Sequence, residues 1–219
     1  NGAIREGISF AQKIVNTELN SVTDNPVLIK KDKKTEIVSG GNFHGQAIAL
    51  AMDSLAIALT SLGVSSERRI YRLLDEKLSG LPAFLIKNPG ENSGLMMLQV
   101  LAAALVAENK VLSTPASVHS LPTSASQEDL VSMGMTAINK LKKIIDNSYA
   151  ILSIELLCAR QAIELGKFKV PKGLEKFYEI LHNEIPGACE DRYFQNDLDK
   201  ISQLIKSEKF ADLLENEIF

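Results

Sequence analysis

Ala47-Ile48-Ala49-Leu50-Ala51-Met52-Asp53-Ser54-Leu55-Ala56-Ile57-Ala58-Leu59-Thr60-Ser61-Leu62 is the stretch on which the fold turns. A helix through it is apolar on nearly every side and has no broad polar face to offer water. Such a helix suits a bilayer or the middle of other helices. Asp53, Ser54, Thr60 and Ser61 interrupt the run, and it falls short of the roughly 20 predominantly apolar residues a span needs. Burial in a large bundle, or between subunits, is therefore the expectation, and no membrane partner is expected.

The segments on either side agree with a bundle. From Ala3 to Asn20, Ile4, Ile8, Ala11, Val15 and Leu19 recur every three or four residues, which makes one helical face. Pro26 disfavours helix at Asn25 and ends the pattern. Val27-Leu28-Ile29 and Ile37-Val38 flank a charged stretch and read as a small exposed hairpin. The glycine-flanked turn Gly40-Gly41-Asn42-Phe43-His44-Gly45 leads into the apolar segment, whose helical pattern runs to about Leu74. Leu95 to Ser113 is a second apolar helix. Leu130 to Leu165 is a third long pattern, about 54 Å of axis if unbroken. Shorter amphipathic pieces follow Gly173, interrupted at Ile185-Pro186-Gly187, with charged helices near Asn196 to Phe219.

The expected architecture is mostly α: long antiparallel helices in a bundle with a small β-hairpin excursion. Residues 1–165 form the long-helix segment, and residues 166–219 form shorter helices packed on it. Helices this apolar cannot all hide one another, so oligomerisation through helix packing is expected. If the long helices alternate in direction, the loops Thr23 to Gly45 and Thr114 to Asp129 share one end, and Ser79 to Gly94 lies at the other. A pocket needing all three borrows one from another subunit.

Composition narrows the functional classes. The chain has 219 residues, 45% hydrophobic and 23% charged, which fits a globular protein and excludes a disordered one. A formal net charge of −3 offers no basic field to nucleic acid. Cys158 and Cys189 lack the close spacing of metal or redox motifs, and a reducing, cytoplasmic setting is the default. The chain opens at Asn1 without Met or a visible secretory signal, so a fragment or a processed chain is the expectation.

Taken singly, the polar loop residues have ordinary structural readings. Asn25 before Pro26 suits a turn, and His44 and His119 suit caps or surface positions. Glu128 and Asp129 suit the first turn of a helix, and Glu67-Arg68-Arg69 suits ion pairs on a helix face. The Ser-Gly pairs at Ser39, Ser79 and Ser93 lack the Gly-x-Ser-x-Gly elbow of a hydrolase. Zinc spacing, a P-loop and a dinucleotide fingerprint are absent from the sequence. The residues by themselves support an α-helical oligomer with polar loops and single out no reaction.

In order, however, the loops resemble one family. Ser21-Val22-Thr23-Asp24-Asn25-Pro26, Gly40-Gly41-Asn42-Phe43-His44-Gly45, Ser66-Glu67-Arg68-Arg69, Ser79-Gly80-Leu81-Pro82-Ala83-Phe84-Leu85 and Pro122-Thr123-Ser124-Ala125-Ser126-Gln127-Glu128-Asp129 are similar to the motifs of the aromatic amino-acid ammonia-lyases, most nearly the histidine-acting branch. The match is dense to about residue 165, with a weaker echo at Asp191-Arg192 and Asp197-Leu198. The resemblance implies an α-helical homotetramer with composite active sites, converting L-histidine to trans-urocanate and ammonia in histidine degradation. It also implies a 4-methylideneimidazol-5-one (MIO) electrophile made from Ala-Ser-Gly, a tripeptide this sequence lacks. The family's substrate-contacting Tyr and Arg, and its tyrosine base, fall before its counterpart of Asn1. The expectation is a C-terminal part that is inactive alone.

By the same resemblance, Glu128 matches the acidic residue of histidine enzymes where phenylalanine and tyrosine enzymes carry Gln. A carboxylate can pair with an imidazole and finds no partner on a phenyl ring. Phe43 matches an aromatic beside the electrophile and the substrate ring. Met96 stands where plant phenylalanine enzymes carry Lys. Asn25, Ser124 and Gln127 match other pocket-lining positions. A phenylalanine or tyrosine ammonia-lyase or aminomutase, and a non-catalytic helical assembly module, are the competing readings. The fumarase-type lyases lack support because their signature is missing.

Overall fold

The computed structural model describes residues 2–207 together with Phe210 and Leu213. Among these the chain is mostly α. Helix α1 spans Gly2–Leu19, and a hairpin of β1 (Val27–Lys31) and β2 (Lys34–Val38) follows. Then come α2 (Gln46–Leu74), the short α3 (Glu76–Ser79), α4 (Met96–Leu112), α5 (Gly134–Gly166), α6 (Glu175–Glu184) and α7 (Gln195–Lys206). The hairpin is antiparallel with Val27 opposite Val38 and Lys31 opposite Lys34, and it is largely exposed. The expected mostly-α fold with a small hairpin is what the chain adopts.

Two boundaries differ from the sequence reading. Helix α5 begins at Gly134 rather than Leu130. The Leu130 carbonyl meets the His44 ring, the Val131 N–H donates to Ser120 Oγ at 2.9 Å, and Met133 is left-handed at φ 56°. The left-handed Met133 breaks the run of helical backbone, and the Leu130 carbonyl is taken up by His44. The loop expected from Leu78 instead contains α3 at its start, because the Asp75 carboxylate accepts the Lys77 N–H at 2.9 Å as an N-cap.

The chain divides into two compact units: Asn1–Leu62 with Asn109–Ile145, and Gly63–Glu108 with Asp146–Phe219. Helix α2 begins in the first unit and ends in the second, α4 begins in the second and ends in the first, and α5 repeats the sense of α2. Residues 166–219 thus cluster with 63–108 and 146–165.

In the first unit Ala11, Ala51, Met52, Ala56, Ala137, Leu141 and Ile144 form one buried cluster. Small residues on α2 let neighbours approach closely: a Cβ on Gly7 of α1 would stand 3.0 Å from the Ala58 Cβ. In the second unit Ile70, Leu85, Leu95, Ile151, Ile154, Leu157, Ile185 and Ile201 share a larger core. Full burial of each large aliphatic side chain stabilises by about 1.5–3 kcal/mol.

Helix α2 is long and apolar enough to cross a membrane by length and composition alone, and about a third of its most apolar window, 33%, is buried. Its buried face carries Asp53, Thr60, Ser66 and Glu67 beside the apolar core residues. Protein groups meet them there: the Ser117 N–H donates to Asp53, the Thr60 hydroxyl to the Ala56 carbonyl and the Ser66 hydroxyl to Glu155.

Candidate functional site

In the first unit an open cleft of about 670 Å³ is lined by Phe43, His44, Ile48, Thr123, Glu128 and Met133 among others. It brings together the Gly-rich turn before α2 and the irregular segment after α4. These are the two loops expected to share one end. Phe43 is 50% exposed although aromatic, so its ring is available to a ligand. It also lines a neighbouring cleft of about 370 Å³ with Val15, Leu19 and Asn42.

Glu128 owes its position to local pairing. Its N–H donates to the Thr123 carbonyl at 3.3 Å, and the Thr123 N–H donates to the Glu128 carbonyl at 2.9 Å. The turn between them carries Ser124, Ala125 and Ser126 at φ 52°, 56° and 67°. Such left-handed non-glycine backbone costs of order 1–3 kcal/mol per residue and tends to mark functional segments. The Glu128 side chain is exposed, and among the described residues its carboxylate has no ion-pair or hydrogen-bond partner. Ser124 and Gln127 close the turn itself, the Gln127 N–H donating to the Ser124 carbonyl at 3.1 Å. Both are exposed and neither is among the residues lining the cleft.

Asn25 has a different setting. Its Oδ1 accepts the Gly40 N–H at 3.0 Å, which ties the base of the hairpin to the start of the glycine-rich turn that carries Phe43. Met96 opens α4 in the second unit and does not line the Phe43–Glu128 cleft. The cleft thus gathers Phe43 and Glu128, Asn25 supports the Phe43 turn, and Met96 stands apart.

Three supporting residues take roles that the sequence alone does not assign to them. Asp53, an apparent blemish in an apolar run, is 4% exposed and accepts the Ser117 N–H at 2.8 Å on Oδ2. Among the described residues its Oδ1 has no hydrogen bond, and it faces Lys140 Nζ at 3.7 Å. Burial works to raise its pKa, but donors from Ser117 and Ala116 and the charge of Lys140 outweigh burial and hold it below the ordinary carboxylate value. Asp53 therefore stays ionised and anchors the entry to the segment that carries Glu128. Ser120 and His44 anchor its exit, at Val131 and Leu130.

The second unit holds the other family-like loop in place from a distance. Asp191 accepts the Ser93 N–H at 2.9 Å and the Gly94 N–H at 2.7 Å, capping the approach to α4, while its own N–H donates to Asn92 Oδ1 at 3.2 Å. Gln161 donates to the Leu85 and Ala188 carbonyls and accepts the Ala188 N–H. The Glu67-Arg68-Arg69 stretch does form ion pairs: Arg68 with Glu67 at 2.6 Å, and Arg69 with Glu155. Burial, followed by the charge of Glu155, pushes the Cys158 thiol far up, which disqualifies it as a nucleophile. Among the described residues no cluster of His, Cys, Asp or Glu could hold a metal ion.

The sequence profile of a family described as "Aromatic amino acid lyase" matches residues 1–183. A histidine ammonia-lyase of Myxococcus xanthus is 50% identical over 210 residues, covering 94% of this chain and 40% of that protein. Histidine ammonia-lyase from Trypanosoma cruzi superposes with a TM-score of 0.92 at 43% identity, over 99% of this chain and 43% of that one. Tyrosine aminomutase from Streptomyces globisporus superposes with a TM-score of 0.90 at 37% identity, over 99% of this chain and 41% of that one. The chain thus spans about 40% of the length of the curated relative it matches.

Proposed function

The chain belongs to the aromatic amino acid lyase family, and on that premise we propose that it is the C-terminal part of a histidine ammonia-lyase. The intact protein eliminates ammonia from L-histidine and gives trans-urocanate. The observation that carries this reading is the cleft wall shared by Phe43 and an exposed Glu128 whose carboxylate has no partner among the described residues. An imidazole N–H offered to that carboxylate makes a charge-assisted hydrogen bond that a phenyl ring cannot make. These residues act by positioning: Glu128 orients the ring, and Phe43 packs against it. Asn25 acts through the Phe43 turn, and Ser124 and Gln127 shape the turn that presents Glu128.

The family resemblance implies an MIO electrophile formed from Ala-Ser-Gly. These 219 residues contain no such tripeptide, so they do not form the group, and their share of the reaction is binding and orientation. The isolated chain is inactive on this reading. Leu50 and Ile57 on α2, and Met97 and Val100 on α4, expose large apolar surface. That surface supports a homotetramer in which Met96 serves a pocket completed by another subunit. A cytoplasmic setting, without nucleic acid or membrane as partner, accompanies the reading.

The test is to supply L-histidine to the intact parent protein and follow urocanate absorbance. Steady urocanate release is expected. Release of cinnamate from L-phenylalanine or coumarate from L-tyrosine, with none of urocanate from L-histidine, would overturn the reading in favour of the phenylalanine or tyrosine enzymes.

A further inference from the structure

We propose that His44 is a second polar contact for the ligand in the Glu128 cleft, its Nδ1 accepting a hydrogen bond from a ligand N–H. The inference rests on the histidine reading above and adds a residue to it. His44 is half-buried, follows Phe43 directly and lines the same wall as Phe43 and Glu128. Its Nε2 lies 2.7 Å from the Leu130 carbonyl oxygen. A carbonyl only accepts, so Nε2 carries the proton and donates it. In the neutral ring Nδ1 is then a bare lone pair. Among the described residues no group bonds to Nδ1.

The other neutral side-chain acceptors on the wall are hydroxyls, which also donate, whereas a bare imidazole nitrogen only accepts. Glu128 and His44 are the two titratable side chains on it; the others are apolar, such as Ile48, Val131, Met133 and Ile138, or carry hydroxyls, as Thr123, Ser132 and Thr136 do. An amino acid with an imidazole ring brings more than one N–H-bearing group, and a single carboxylate does not serve them all. Leu130 thus sets the tautomer of His44, and that tautomer leaves an acceptor on a side chain of the cleft. The same contact has a purely architectural reading, in which His44 only tethers the exit of the Glu128 segment. The two roles use different ring nitrogens and can be separated.

Two variants of the intact parent protein separate them, assayed by urocanate release from L-histidine and by thermal unfolding. His44→Gln keeps a donor at the Nε2 position for the Leu130 carbonyl and removes the Nδ1 acceptor. His44→Asn keeps an acceptor near the Nδ1 position and removes the tether. His44→Gln is expected to raise KM about tenfold with kcat within about threefold of wild type, the signature of binding lost equally from ground and transition states. His44→Asn is expected to recover KM to within about threefold while its unfolding midpoint falls. An unchanged KM in His44→Gln, or equal damage in both variants, would overturn the proposal while leaving the histidine reading intact. A wild-type protein that releases no urocanate would overturn that reading and this inference with it.

Discussion

Residues 83–94 and 121–130 both contain non-glycine backbone in the left-handed region, at Phe84, Leu85 and Asn88 in one and at Ser124, Ala125 and Ser126 in the other. In the first segment the strain at Leu85 is enclosed, Leu85 and Ile86 being fully buried and Phe84 half-buried, while Asn88 is exposed. There Gln161 bonds the Leu85 carbonyl, and the Phe84 carbonyl accepts the Leu95 N–H at 3.0 Å. In the second, every residue from Leu121 to Leu130 is exposed, and the supports stand at its two ends. Strained backbone persists when its surroundings over-determine it. The first segment carries that determination within its own unit. The second presents Glu128 on a turn held by Asp53, Ser120, His44 and the Thr123 pair, and a ligand or a neighbouring subunit can add what is missing.

The largest effect expected from this contrast falls on Gly94. At φ +53° a Cβ there would stand 2.6 Å from the Phe84 carbonyl oxygen and 2.7 Å from the Ile86 Cβ. Gly94→Ala should therefore destabilise by roughly 3–5 kcal/mol through strain and overpacking. In thermal unfolding that is a midpoint lower by roughly 6–20 °C. A shift under about 2 °C would mean that the first segment is not enclosed as described.

Asp53 comes next, and pH sharpens the comparison. Its folded pKa is held below the ordinary value, so its contribution is fully present above about pH 4 and fades as pH falls through the lower folded value. Asp53→Asn should cost about 1–3 kcal/mol near neutrality through loss of the charged acceptor for Ser117. The gap to wild type should narrow under acid conditions. Unfolding midpoints measured from pH 7 to pH 2.5 check this, and a gap that stays constant would remove Asp53 from the account.

Ser120→Ala should be the mildest. It deletes one acceptor, for the Val131 N–H, at a partly exposed site, worth about 0.5–1.5 kcal/mol. The unfolding midpoint should move by roughly 1–6 °C, while KM for L-histidine rises several-fold because the Glu128 segment loosens. An equal loss of stability and affinity to that of Gly94→Ala would erase the distinction between the two segments.

The long helices, the hairpin and the pairing of the two loops around Phe43 and Glu128 were legible because periodicity, Pro26 and the glycine-rich turn report on local backbone. The beginning of α5 was not, because the groups that stop it are His44 and Ser120, distant in sequence and ordinary in type. Asp53 shows the same limit. A carboxylate inside an apolar run reads as a fault until Ser117 and Lys140 are seen around it. Asp191 is similar: a weak motif in the sequence, and in the fold the acceptor for two N–H groups nearly a hundred residues away. The family resemblance identified Glu128 and Phe43, and the chain itself supplies the cleft in which they meet.

The central claim is that the Glu128 carboxylate recognises an imidazole, and Glu128→Gln in the intact parent protein tests it most directly. The substitution keeps size and removes charge. Because the side chain is exposed and has no partner among the described residues, the unfolding midpoint should hold within about 2 °C. The amide oxygen still accepts a hydrogen bond, so its charge assistance, about half of roughly 1.5–3 kcal/mol, should be lost and kcat/KM for L-histidine should fall roughly 3- to 15-fold. A kcat/KM within about twofold of wild type would contradict the account.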